Sequence, residues 1–268
     1  MGALEIRRGD FDAATELGGD GPAFSASLPG EWGAETVNGG FMLALLTRAM
    51  GRTAPFPDPI VVSGLFLRPG FPGPVSVETE LIRAGRTTAF TQASLRADGK
   101  ETVRATAAFT DLDAASDPAA PAFSGGTAPV LPPPEECVGL APGAIRGASI
   151  TDRFDYRFTE APGWLRGKPS GNPATEFYLR FRDGREPDLA ALPLIVDAAA
   201  PAIFELGVER VTTIELTLHL RARPAPGWLS CRSATRFLSD GYHEEDFEAW
   251  DSTGTLVAQS RQLALVLK

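Results

Sequence analysis

The residue of this chain best placed to do chemistry is Asp197, a carboxylate in the apolar run Leu194-Ile195-Val196-Asp197-Ala198-Ala199-Ala200-Pro201. An ionised carboxylate left unpaired in such surroundings is costly, so the position implies either a satisfied structural role, such as a helix cap, or a working base. Pro201 lies four residues downstream. It has no N–H to give to the Asp197 carbonyl, and its ring crowds that oxygen, which predicts a helix break or kink that loosens the backbone beside the carboxylate. A second candidate is Asn38-Gly39-Gly40, leading into Phe41. Glycines at a helix start can bring their N–H groups close to a bound ligand, or can serve close packing against a sheet.

Other chemistries find little support. His219 and His243 are the only histidines, and neither has ligand spacing to Cys, Asp or Glu, so no metal site and no Ser-His-Asp triad is expected. Ser230, Cys231 and the other hydroxyls lack a nucleophile-elbow pattern. The acidic run His243-Glu244-Glu245-Asp246 reads as a solvated turn or strand edge, and Trp32, Trp164, Trp228 and Trp250 as core or interface residues.

The elements that must carry these residues recur in both halves, in the same order. Each half has a short apolar helix rich in small residues, a strand closed by Arg and Pro, and a three-strand run. The first copy runs from Asn38 through Met50, Val61 to Arg68, and strands from Val75. The second has Asp197 in a helix ending near Leu206-Gly207, then Val211 to Arg223, and strands from Trp228. Alternation in Val75, Val77, Thr79 and Leu81 and the turn Ala97-Asp98-Gly99-Lys100 indicate an antiparallel meander. In the second half Thr213, Glu215, Thr217, His219 and Arg221 alternate with Ile214, Leu216, Leu218 and Leu220, which places five polar side chains on one strand face. A helix apolar nearly all round is buried, so one buried helix per antiparallel sheet is the expected unit.

Between the copies, Pro118, Pro121, Pro129, Pro132, Pro133, Pro134 and Pro142 mark an extended linker. The expected division is 1–112 and 146–268 as two domains, with 113–145 joining them. With 268 residues, 43% hydrophobic and 22% charged, the chain is long enough to bury a core in each unit. A formal charge of -9 with scattered basic residues argues against a nucleic-acid partner. Met1 to Arg8 has no apolar stretch after its charges, and no window approaches the roughly 18 apolar residues of a span, so neither a signal peptide nor a membrane is expected. Two cysteines, Cys137 and Cys231, fit a reducing, cytoplasmic setting without a disulfide framework.

The order and spacing of Asn38-Gly39-Gly40-Phe41-Met42, Phe66-Leu67-Arg68-Pro69-Gly70, Arg83-Ala84-Gly85-Arg86-Thr87, Asp197, Thr213-Ile214-Glu215-Leu216-Thr217, Trp228 and Gly254-Thr255-Leu256-Val257-Ala258 followed by Gln262 resemble the TesB-like double-hotdog acyl-CoA thioesterases. The resemblance covers most of the chain outside the linker. It implies an α+β fold, a double hotdog of two antiparallel sheets each wrapped around a buried helix. It also implies hydrolysis of a hydrophobic acyl-CoA to free acid and CoA, a place in lipid metabolism and no cofactor. The catalytic set carried over is Asp197, Thr213 and Gln262, which together hold and polarise a water, with Asn38, Gly39 and Gly40 at the substrate. Alone, Thr213 is an ordinary strand threonine and Gln262 a solvent-facing residue.

Alternatives within the site stay open. The strand could slip by one residue, with Thr212 then pointing to the opposite face; Thr217 shares a face with Thr213 by alternation; and Gln259 lies on the strand of Gln262 but on the opposite face. In the first half the counterpart of Asp197 is Asn38 or a neighbour and that of Gln262 is Ala108, so one catalytic centre per chain is expected, because an amide is no base near neutral pH. Leu263, Ala264 and Leu265 stand where the family usually has charged residues, which admits a second reading as a non-catalytic acyl-CoA binding module. Exposed sheet edges favour pairing, most simply as a homodimer.

Overall fold

A computed structural model describes residues 10–115 and 119–267. Met1 to Arg8 and Pro118, used above for the leader and linker readings, fall outside them. The first half runs α1 (Asp10–Ala14), β1 (Ala23–Leu28), α2 (Gly39–Thr53), β2 (Asp58–Phe66), β3 (Gly73–Ala84), β4 (Ala89–Ala97) and β5 (Lys100–Thr110). The second runs β6 (Val138–Gly139), β7 (Phe154–Phe158), β8 (Ala174–Phe181), α3 (Leu192–Ile195), β9 (Val211–Leu220), β10 (Leu229–Ala234), β11 (Leu238–Ser239), β12 (Tyr242–Trp250) and β13 (Leu256–Val266).

Alternation makes β3 a strand with one buried face, Val75, Val77 and Thr79 pointing inward. The tight turn into β5 uses Asp98 and Gly99, both at positive φ, as a two-residue hairpin requires. The half-sheets do not end where the halves meet. Antiparallel pairing of β2 with β9, from Val61 opposite His219 to Leu65 opposite Glu215, joins them into one continuous sheet. Its order is β1-β3-β4-β5-β2-β9-β13-β12-β10-β8-β7-β6, with β11 on β12.

Every residue of α2 from Gly40 to Thr47 is buried, so this helix is the core that the first half-sheet curls around. The second half departs from the expected symmetry. Its α-helix spans only Leu192–Ile195, and a separate 3-10 helix, Ala202–Leu206, follows Pro201. The proline explains why no helix runs through, and Asp197 lies in the intervening turn.

Register sets which side chains face the interior. Between β9 and β13, Leu263 is opposite Glu215 while Ala264 is opposite Thr213, leaving Ile214 as an extra residue. This bulge reverses the alternation at that point. Thr213 therefore shares the inner face of Leu216 and Ala264, while Glu215, Thr217 and His219 face outward. The expected row of five polar side chains on one face, with Thr213 and Thr217 together, is thus broken by one inserted residue.

The start of α2 is pressed against α3. A methyl on Gly40 would lie 2.5 Å from the Pro193 carbonyl oxygen, 2.6 Å from Asp197 Cβ and 3.1 Å from Leu194 Cα. Two of the three are backbone atoms that cannot yield cheaply. Gly40→Ala should therefore cost about 1–3 kcal/mol in urea unfolding. Gly51→Ala, in the same helix but 3.6 Å from the Phe109 ring, should gain about 0.5–1 kcal/mol.

Candidate active site

Where Pro201 withholds its N–H, the Asp197 carbonyl takes another partner: Asn38 Nδ2 donates to it at 2.9 Å. The same amide donates to Asp197 Oδ2 at 3.0 Å, and the Gly40 N–H donates to that oxygen at 2.7 Å. Asn38 is also the N-cap of α2, its Oδ1 accepting from the Phe41 N–H at 2.9 Å. One asparagine therefore opens the first-half helix and fixes the second-half carboxylate. Asp197 Oδ1 accepts no hydrogen bond among the described residues, which leaves one carboxylate oxygen for a reactant.

Asp197 is only partly covered, yet deep enough for burial to dominate its ionisation. Desolvation raises its pKa to about 6, against the opposing pull of the Gly40 N–H and the Asn38 amide. A carboxyl with that proton affinity suits a general base near neutral pH.

Thr213 and Gln262 come together across β9 and β13, the threonine Oγ1 donating to Gln262 Oε1 at 3.1 Å. This bond occupies the carboxamide oxygen and turns the Gln262 amide into a donor for whatever lies in front of it. Gln262 is buried, contrary to the solvent-facing reading of that residue alone. The alternatives lie on the outer face: Thr217 bonds Ser63 at 2.8 Å and Glu215, and Gln259 Nε2 donates to Glu248 at 3.3 Å. Thr212 is exposed. No hydrogen bond among the described residues links Asp197 directly to Thr213 or Gln262.

A second carboxylate was hidden in the acidic run. Glu244 and Asp246 do face outward, Asp246 paired with Arg261 and Arg236. Glu245 and His243, at 5% and 1% exposure, are buried, which corrects the reading of the whole run as solvated. Glu245 stands directly opposite Gln262, and its Oε2 accepts from the Ala202 N–H at 2.7 Å. Burial raises its pKa to about 7, and the nearby charge of Asp197 adds to the rise. The signal in the sequence was period two: Phe247 and Ala249 are core residues of a strand, and Glu245 shares their face.

Beyond Asp197 the turn leads to an apolar pocket whose walls include Ala199, Ala200, Tyr156, Phe158, Trp164 and Phe177. The Tyr156 hydroxyl donates to the Ala198 carbonyl at 2.7 Å and so pins the turn from the sheet side. At the first position of α2, the Gly39 N–H has no partner within the helix and makes no hydrogen bond among the described residues.

Known proteins resemble the chain on both counts, sequence and fold. Residues 28–110 match the acyl-CoA thioesterase N-terminal domain and residues 128–266 the acyl-CoA thioesterase C-terminal domain. An uncharacterized protein of Mycobacterium tuberculosis (strain ATCC 25618 / H37Rv) is 31% identical over 256 residues, covering 86% of each sequence. The structure of a proposed thioesterase II from Thermobifida fusca YX superposes with a TM-score of 0.86 at 32% identity, over 96% of this chain and 99% of that one. A hot dog fold protein of Alicyclobacillus acidocaldarius superposes with the same TM-score at 22% identity, over 96% and 98% of the two chains, a likeness of fold. With both domains matched in order on a double hotdog scaffold, this chain belongs to the TesB-like acyl-CoA thioesterase family.

Proposed function

We propose that the protein hydrolyses the thioester of a hydrophobic acyl-CoA to free acid and CoA, with Asp197 as general base and no cofactor. The observation that carries this reading is the state of Asp197: one oxygen tied down by Gly40 and Asn38, the other free, at a position where burial raises the pKa to about 6. Its free oxygen takes a proton from a water, and the water oxygen attacks the carbonyl carbon. The C–S bond breaks, and the proton held by Asp197 passes to the departing CoA sulfur. Atoms and charge balance without a covalent intermediate.

Thr213 and Gln262 orient the water or the thioester, the Gln262 amide acting as donor. The Gly39 N–H at the helix start is suited to the developing oxyanion, where one donor is worth about 2.7–4 kcal/mol. The cavity beyond Ala199 is walled by apolar side chains but encloses only about 20 Å³, so the acyl-CoA substrate is supported by the match to the acyl-CoA thioesterase domains and not by this cavity.

Asp197→Asn should lower thiol release from acyl-CoA about 10²–10⁴-fold, with the circular dichroism spectrum unchanged. A variant with wild-type turnover, or a wild-type protein that binds a non-hydrolysable acyl-CoA analogue but releases no thiol from any chain length, would remove the hydrolytic reading. Because the base works deprotonated, wild-type kcat/KM should rise with pH through about 6.

The same substitution has a stability signature. Asp197 has a folded pKa above its ordinary 3.8, so its stabilising protonated form is fully present below that value and lost as pH rises through about 6. Asp197→Asn should accordingly stabilise the fold at pH 8 by about 1–2 kcal/mol, discounted for partial exposure, and leave it unchanged near pH 3.5 in urea titrations.

Face assignment gives the remaining contrast. Thr213→Val and Gln262→Ala should each lower kcat about tenfold or more, while Thr217→Val and Gln259→Ala stay within about twofold of wild type. Equal losses from both pairs would overturn the interior assignment.

A further inference from the structure

The helix break that frees the Asp197 backbone also frees the groups one residue on. In an uninterrupted helix the Ala202 N–H would donate to the Ala198 carbonyl. Here both ends of that missing bond are taken by the sheet: the Tyr156 hydroxyl donates to the Ala198 carbonyl at 2.7 Å, and Glu245 Oε2 accepts the Ala202 N–H at 2.7 Å. Tyr156 is on β7 and Glu245 on β12. The segment after Asp197 is thus clamped from two strands, and one clamp is a buried acid.

Glu245 is also the cross-strand partner of Gln262 on the interior face. Directly paired residues bring their Cβ atoms to about 4.5–5.5 Å. One carboxyl therefore touches both components of the site that no hydrogen bond joins, the turn carrying Asp197 and the strand pair carrying Gln262 and Thr213. Its other oxygen accepts no hydrogen bond among the described residues. The buried Ser233 hydroxyl of β10 lies close enough to favour the ionised form, although no hydrogen bond of good geometry joins it to Glu245 or to any other described residue.

We propose that Glu245 is a positioning residue of the hydrolytic site, fixing the Asp197 turn on the Gln262 strand pair and linking its own protonation to that of Asp197. This rests on the thioesterase reading given above. The groups around Glu245 define the linkage. Asp197 faces it from the turn after α3, Ser233 from β10 and the uncharged Gln262 from β13. On its own strand His243 is held towards neutrality by burial, and Asp246 points outward into its two arginines. Glu205, in the same 3-10 turn as Ala202, is engaged elsewhere by the N–H groups of Gly163 and Ser170. With Asp246 paired to arginines and Glu205 surrounded by backbone N–H groups, Asp197 is the carboxylate whose charge bears on Glu245 from inside the site. Burial raises the pKa of both carboxyls, that of Asp197 to about 6 and that of Glu245 to about 7, and the charge of Asp197 adds to the rise of Glu245.

The test is a carboxyl titration by NMR on protein carrying 13C-labelled aspartate and glutamate, combined with kinetics. Wild type should show two linked ionisations between about pH 5 and 8. Glu245→Gln should abolish the higher one, and Asp197→Asn should move the Glu245 midpoint to lower pH. In kinetics, Glu245→Ala should lower kcat about tenfold or more with little change in KM, and Glu245→Gln, whose amide oxygen can still accept the Ala202 N–H, should restore most of that loss. The pH profile of Glu245→Gln should keep the ionisation near 6 and lack a second one.

An unmoved Glu245 midpoint in Asp197→Asn, or wild-type kcat in Glu245→Ala, would overturn the proposal. The NMR arm does not depend on turnover. An active Asp197→Asn variant would therefore sink the hydrolytic reading while leaving the carboxyl linkage separately readable.

Discussion

The site depends on one missing hydrogen bond. A proline at 201 deprives the Asp197 carbonyl of its helical partner, and a buried carbonyl without a partner costs about 1–3 kcal/mol. Asn38 removes that cost by donating to the carbonyl, and in doing so brings its amide within 3.0 Å of the Asp197 carboxylate. The backbone defect and the placement of the carboxylate thus have a single solution. It also determines how the halves meet, because the asparagine that fills the gap is the cap of α2. Gly40 must then have no side chain, since its N–H reaches Asp197 Oδ2 and its Cα lies against Pro193 and Leu194.

This arrangement makes the two copies of the unit unequal. The first keeps a complete helix of fifteen residues and contributes hydrogen-bond donors from its start. The second gives up its helix after four residues and contributes acids. In the first half the β5 positions opposite β2, Ala107 and Ala108, carry methyl groups, whereas β13 carries Gln262 opposite β9. The sheet joined through β2 and β9 holds donors and acids in one frame, and that join is why a helix start in one half can serve a carboxylate in the other.

How much of this was legible in the sequence follows from what each feature depends on. Strands were readable because alternation is local: β3, β9 and β12 begin and end close to where their side chains switch period. The disturbance at Asp197 was readable from Pro201 alone, although the helix stops well before it. The bulge at Ile214 was not, since nothing in Thr212-Thr213-Ile214-Glu215 distinguishes a regular strand from one with an inserted residue; the pairing with β13 decides it. That one residue reverses the relation between Thr213 and Thr217. Glu245 was obscured by its neighbours, because three acidic residues in a row look solvated until the strand face of Phe247 is extended backwards.

The relative strength of burial and hydrogen bonding explains why the acids at this site are weak. Asp197 accepts two hydrogen bonds and would have a low pKa if it were near water, yet desolvation wins and raises it. Glu205 shows the opposite balance with similar chemistry: three backbone N–H groups, from Gly163, Trp164 and Ser170, surround its carboxylate and hold its pKa below the ordinary value. The two residues stand eight apart on either side of Pro201. Glu205, with its pKa held below the ordinary value, anchors the segment beside the apolar pocket, while Asp197, with fewer donors and one oxygen left free, has its pKa raised by burial to about 6. The number of N–H donors around each carboxylate, rather than the presence of a carboxylate, therefore separates the acid whose pKa is lowered from the one whose pKa is raised.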